Sequence, residues 1–294
     1  AVAFGFAYIT FISRLDNKKI EGIVLIGCLN KTMRFSEAVR KVIHLVVFVA
    51  NLLISVLLSA QGDRAMAALD NTSNYFLDRP DSTKWAVIIT GPTVGEVSQS
   101  QFRQWSFSLH DILARDYGYS SDTITLLYDR GPPEFPGGDR VDGVANREGI
   151  EQALSDLAGR AETGDQVTLY LIGHGSGAEE EAKFNIVGPD ITGVEFAAML
   201  AQFEEQDLVI VNTTSASYGF STSLSSEGRV VISSTRSPSE RYDPIFSNYF
   251  IEALDGRNGD RDKNNRVSML EAFEYAKNNV EAWYEEQGRL ASEH

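Results

Sequence analysis

The chain has 294 residues, 43% of them hydrophobic, enough to bury a core as one large domain or two small ones. A formal net charge of −15 excludes the basic face that a nucleic-acid backbone requires, so no nucleic-acid partner is expected. The single cysteine, Cys28, rules out an intrachain disulfide and confines any thiol chemistry to that residue.

From Met33 the chain reads Met-Arg-Phe-Ser-Glu-Ala-Val-Arg-Lys, then a mostly apolar run over residues 42–60, then Ala65-Met-Ala67. A basic start, an apolar middle and an Ala-x-Ala end are the parts of a secretory signal peptide, which predicts a start at Met33 and cleavage after residue 67. Residues 1–32 then read as upstream translation or a fragment of something longer. The alternative keeps residues 42–60 as an uncleaved anchor, since about 19 residues is near spanning length. His44, Asn51 and Ser55 weaken an anchor. Leu25-Ile-Gly-Cys28 resembles a lipoprotein acylation box, but its apolar lead-in is short and contains Glu21. Each reading puts the folded part outside the cytoplasm, periplasmic or secreted, with membrane contact only through an N-terminal anchor.

Residues 68–84 are polar and read as a linker. A domain is expected over residues 85–255, with five runs rich in branched or aromatic residues at 86–90, 123–128, 167–172, 208–211 and 230–233. Most are apolar at successive positions, which suits strands covered on both faces. Helical stripes separate them: Phe102, Trp105, Leu109, Ile112 and Leu113, then Ile150, Ala153, Leu154, Leu157 and Ala158. Thr192-x-x-Glu195 is a capping box ahead of Phe196, Ala197, Leu200 and Ala201, and Asp243-Pro244 is a helix start for Phe246, Tyr249, Phe250 and Ala253. Alternating strands and helices predict an α/β fold, a mostly parallel sheet with helices on both faces. The irregular loop over residues 129–146 either borders a cleft or is a surface excursion.

Two of these strands end in chemically capable turns. Val167-Thr-Leu-Tyr-Leu-Ile-Gly-His174-Gly-Ser-Gly177 delivers a histidine among glycines, and Leu208-Val-Ile-Val-Asn-Thr-Thr-Ser215-Ala-Ser217 delivers a run of hydroxyls. Both would stand at the carboxyl edge of one sheet, where open α/β sheets bind ligands. Of the four histidines, only His174 is placed for catalysis. Its neighbouring glycines leave amide N–H groups available to an oxyanion. The plainer alternative is a glycine-rich turn capped by a histidine, with Thr213, Thr214, Ser215 and Ser217 satisfying backbone groups at a strand end.

Strand-His174-Gly175-Ser-Gly, followed by a strand ending in Ser215-Ala-Ser217, resembles the His–Cys dyad of the caspase/legumain class of cysteine peptidases. The resemblance covers roughly residues 85–254 and reaches the segment Val230-Val-Ile-Ser-Ser-Thr-Arg-Ser-Pro-Ser-Glu-Arg241. It implies a caspase-like three-layer sandwich with His174 as the catalytic histidine, Gly175 as a backbone oxyanion donor and Ser215 at the place of the nucleophilic cysteine. It also implies that the loop bearing Ser234, Arg236 and Glu240 borders the pocket of a peptide or protein substrate or partner. The chain departs from the family at Ser215, at Tyr218 where glycine is usual, and at Gly173 where legumains carry Asp. A thiol titrates near 8.5 and a histidine holds it partly as thiolate, whereas a serine hydroxyl needs a base aligned by a third group. No such group is identifiable in the sequence. Two functions follow as expectations: a degenerate peptidase that binds a peptide or partner, or an active hydrolase using Ser215 and His174.

Residues 256–294 hold a second pattern. Asp260, Asp262, Asn264, Ser268 and Glu271 fall at positions 1, 3, 5, 9 and 12 of an EF-hand-like calcium loop, with the Arg266 carbonyl at position 7 and apolar Val267 at position 8. Asn265 replaces the usual glycine at position 6, which asparagine tolerates better than most residues. Calcium is the expected ligand. The competing reading is a capping box, Ser268-x-x-Glu271, with ordinary turn residues before it, because the preceding helical pattern stops near Asp255-Gly256. A last stripe, Leu270, Phe273, Ala276, Val280 and Trp283/Tyr284, predicts a long C-terminal helix.

Overall fold

The structure, a computed structural model, describes residues 82–294 except 133–135, 179–180, 238–243 and 292. Its strands, in chain order, are β1 (Lys84–Thr90), β2 (Ile124–Tyr128), β3 (Gln166–Ile172), β4 (Gly175–Ser176), β5 (Lys183–Phe184), β6 (Ile191–Thr192), β7 (Asp207–Asn212) and β8 (Arg229–Ser233). The helices are α1 (Gly95–Asp116), α2 (Arg147–Ala158), α3 (Gly193–Met199), α4 (Ser217–Leu224), α5 (Phe246–Leu254) and α6 (Met269–Glu286). Five strands form a parallel sheet in the order β2-β1-β3-β7-β8, and β4-β5-β6 form a small antiparallel sheet. The chain moves one way from β1 to β2 and the other way to β3, so the topological switch lies between β1 and β3.

The five main strands fall within two residues of the runs expected from the sequence, because strands covered on both faces must be apolar at consecutive positions. Their side chains divide by parity between two cores. Ala86, Ile88, Tyr170, Ile172, Val209 and Val211 pack with α1, α5 and α6. Val87, Ile89, Leu169, Leu171, Leu208 and Ile210 pack with α2, α3 and α4 on the opposite face. The result is the three-layer α/β sandwich that the alternation predicted. Fully buried phenylalanines anchor both outer layers, Phe246 and Phe250 on one side and Phe196 and Phe220 on the other, each contributing about 2–3 kcal/mol by leaving water.

Helix starts follow their local chemistry where that chemistry is near in sequence. Asn146 accepts the Gly149 amide at 2.8 Å, and the capping boxes Thr192–Glu195 and Ser268–Glu271 both form. The start of α5 differs. Asp243 lies outside the described residues, Ile245 gives no side-chain cap, and the amides of Ile245 and Phe246 donate instead to the carboxylate of Glu293. Two further elements escaped the sequence reading. Helix α4 forms from the serine-rich residues that follow Ser215, and β4 to β6 are too short to carry a period.

The leader, the anchor and the acylation box fall outside the described residues, as does the linker to residue 81. Among the described residues no helix is long and apolar enough to cross a membrane.

Candidate functional site

The carboxyl ends of β1, β3 and β7 build the site. β3 ends at Ile172 and turns through Gly173, whose φ of 142° suits only glycine and whose added Cβ would come 3.2 Å from the Gly91 nitrogen. That turn carries His174. Its half-buried ring meets Phe102 of α1 edge-on, with centroids 5.0 Å apart, and its carbonyl accepts the Asn185 amide at 3.1 Å. Gly175 and Ser176 then pair with β5, and the Ser176 hydroxyl donates to Asn185 Oδ1 at 2.9 Å.

β7 delivers the hydroxyl run against this turn. Thr213 donates both its amide and its hydroxyl to the Leu171 carbonyl, at 3.0 and 2.9 Å. Thr214 donates its amide and hydroxyl to Asn212 Oδ1, at 3.0 and 2.8 Å. Ser215, 6% exposed, donates its hydroxyl to the Gly175 carbonyl at 3.1 Å, and the Gly175 amide donates to Ser215 Oγ at 3.2 Å. The structure thus brings Ser215 to the residue that follows His174, across the β3–β7 edge, as the two strand ends predicted.

Both partners in that contact are spent. A serine has one hydroxyl proton, and here it lies on a carbonyl oxygen. The Gly175 N–H, the amide expected to stabilise an oxyanion, lies on Ser215 itself. Gly175 is also where the chain has no room: an added Cβ would lie 2.6 Å from both the Ala216 Cβ and the Ala216 nitrogen, and 2.9 Å from Thr214 Oγ1. The β4 turn and the start of α4 are therefore in direct contact.

A second hydroxyl cluster lies one turn on. Ser217 Oγ is 3.0 Å from Ser234 Oγ and 2.9 Å from Thr235 Oγ1, and it accepts the Thr235 amide at 3.0 Å. Ser234 donates to the Thr214 carbonyl at 3.0 Å, and the Tyr218 amide donates to Thr235 Oγ1 at 2.9 Å. Ser234 is therefore buried structure tying β8 to the α4 start, not a surface group of a pocket. Arg236 is exposed and its guanidinium donates to the Ala291 carbonyl. Glu240 lies outside the described residues. Sequence reasoning missed Asn212, a fully buried residue whose Nδ2 has no hydrogen-bond partner while its Oδ1 serves Thr214. A polar residue closing an otherwise apolar strand was the available signal.

The acidic loop brings three carboxylates together at the start of α6. Carboxylate oxygens of Asp260, Asp262 and Glu271 lie within 4.8 Å of one another. Asp260 accepts the Asn264 and Asn265 amides at 3.1 and 2.8 Å, and Asp262 accepts the Asn264 amide at 3.0 Å. Asn265 adopts φ 65°, a left-handed turn, and Val267 is buried in the core. Asn264 Oδ1 is occupied by the Arg266 amide at 2.9 Å, and Ser268 is engaged with Glu271 in the capping box. Glu271 faces both ways: Oε2 caps Ser268, and Oε1 accepts the Arg261 amide at 3.1 Å. Three convergent carboxylates could hold a metal ion. The incoming helix is offset, since α5 ends at Leu254 and a short 3₁₀ turn over Asp255–Arg257 intervenes.

No protein-family model matches this chain, and no curated protein matches it.

Proposed function

We propose that this chain is a homologue of caspase/legumain-type peptidases that binds an extended peptide or protein partner at the carboxyl edge of its sheet without cutting it. The observation that carries the reading is the closed contact between Ser215 and Gly175. A nucleophilic serine must hand its proton to a base and leave the oxyanion amide open to substrate. Here the proton and the amide are both engaged with each other's residue. What remains at the edge is a glycine turn, a half-buried imidazole against Phe102, and the partly exposed Tyr218, a surface suited to recognition. The leader pattern over residues 33–67 supports a role outside the cytoplasm.

The alternative is a working hydrolase in which His174 acts as base and then acid toward Ser215. Its support is the delivery of both residues to one edge. The two readings separate on Ser215→Cys assayed with a fluorogenic peptide library, in calcium and in chelator. A binding homologue is inactive as found and gains cleavage with the thiol, which ionises near 8.5 and needs no third group. Measurable cleavage by the natural serine, abolished by Ser215→Ala, would establish the hydrolase.

A second reading concerns Asp260, Asp262 and Glu271, whose convergence favours calcium as a stabilising ligand that ties the loop to the start of α6. A single exposed site of this kind belongs to the weak range of extracellular modules, about 10⁻⁴ to 10⁻³ M.

A further inference from the structure

β8 is an outer strand of the parallel sheet, paired among the described residues only with β7. Just beyond it the chain meets a partner from far along the sequence. Thr235 forms an antiparallel bridge with Glu293, the His294 amide donates to the Ser234 carbonyl at 2.9 Å, and Arg236 donates to the Ala291 carbonyl. The segment is anchored by one side chain. Glu293, 2% exposed, accepts the Ile245 amide at 3.2 Å, the Phe246 amide at 2.9 Å and the Tyr284 hydroxyl at 2.9 Å. The ring of His294 rests edge-on against Phe273, with centroids 5.3 Å apart. Immediately before the segment, Leu290 is 94% exposed, so the chain leaves α6, runs through solvent, and returns to dock.

We propose that Ser234, Thr235 and Arg236 form a docking edge for an extended peptide carrying an acidic residue, and that Ala291, Glu293 and His294 are its built-in occupant, a latch that an incoming peptide displaces. The inference rests on the peptide-binding reading above and names the place and chemistry of recognition. Antiparallel backbone pairing accepts many sequences, so it supplies affinity without selectivity. The pocket for the paired side chain supplies the selectivity: the Ile245 and Phe246 amides at the start of α5 and the Tyr284 hydroxyl all donate to the Glu293 carboxylate, an acceptor that an apolar or basic side chain does not provide. The same Ser234 and Thr235 bond Ser217, two residues from Ser215, so an occupant of this edge lies beside the α4 start that closes the site.

The test uses the full chain and a fluorescently labelled peptide of residues 287–294 as probe. Two variants loosen the latch differently. Glu293→Gln removes the charge from the anchor at constant shape. His294→Pro removes the amide that donates to Ser234, together with the ring that rests against Phe273, and leaves the Glu293 carboxylate itself unchanged. The labelled peptide is expected to bind each variant about tenfold tighter than the intact chain, the scale of one hydrogen bond. A probe carrying Glu293→Gln is expected to bind the His294→Pro chain correspondingly weaker. Equal affinity for the intact chain and for His294→Pro, with both melting cooperatively, overturns the proposal, whatever the stability of Glu293→Gln. Should the loosened chain take this probe but no member of a random peptide library, the latch stands and the peptide-binding role fails. Should it take library peptides while the probe shows no preference for the loosened chain, the role stands and the latch fails.

Discussion

Gly175→Ala probes the contact on which the site depends. The backbone at Gly175 is not left-handed, so alanine brings no conformational strain there. Its whole cost comes from the added methyl, which would lie 2.6 Å from the Ala216 Cβ and nitrogen and 2.9 Å from Thr214 Oγ1. Carbon atoms rest at about 3.5–4.0 Å, so β4 must retreat from the α4 start by roughly 1 Å. Overpacking of this kind costs about 1–3 kcal/mol, and the retreat also strains the two Ser215 contacts at about 1 kcal/mol each, for a total of about 3–5 kcal/mol. Gly164→Ala is the matched control. Its φ is 84° and nothing lies within 4 Å of the added Cβ, so it incurs only the left-handed penalty, about 1–2 kcal/mol. Urea unfolding of both variants, at unchanged slope, compares them directly. A Gly175→Ala chain at least as stable as Gly164→Ala would refute the close contact between the His174 turn and the Ser215 turn.

Three other outcomes follow from the same geometry. Asp165, 4% exposed at the amino edge of the sheet, accepts the Thr83 amide at 2.7 Å, the Trp85 indole N–H at 2.8 Å and the Glu162 amide at 2.9 Å. Asp165→Ala strands three donors and is expected to cost about 3–5 kcal/mol in a denaturant titration while leaving peptide affinity per folded molecule unchanged. The amide and hydroxyl of Thr192, with help from Arg147 and against a smaller effect of burial, hold the Glu195 carboxyl below its ordinary 4.5. Its contribution is therefore complete above pH 4.5 and lost as pH falls through the lower folded value, so Glu195→Gln should lower stability at neutral pH, flatten the acid limb of a stability–pH curve and converge with the natural chain at low pH. Calcium at about ten times its dissociation constant should add about 1.4 kcal/mol, a rise of a few degrees in melting temperature that chelator reverses and Asp262→Asn removes. An unmoved melting temperature in Asp262→Asn and in the natural chain alike would leave Glu271 as a helix cap alone.

What the sequence determined by itself was whatever depends on near neighbours and on solvent. Strands buried on both faces have to be apolar at every position, so β1, β2, β3, β7 and β8 were legible to within two residues. Capping boxes close over three residues, so Thr192–Glu195 and Ser268–Glu271 were legible too. The order of strands also placed His174 and Ser215 at one edge. Which way their hydroxyl and amide turn was decided by tertiary structure alone, because the Ser215 proton finds the Gly175 carbonyl only once β3 and β7 lie side by side. The cap of α5 shows the same limit more sharply. Local reading assigned it to Asp243-Pro244, but the amides of Ile245 and Phe246 are satisfied by Glu293, 48 and 47 residues away. No periodicity announces such a contact. A buried carboxylate goes where donors are left over, and only the packed chain reveals where those are.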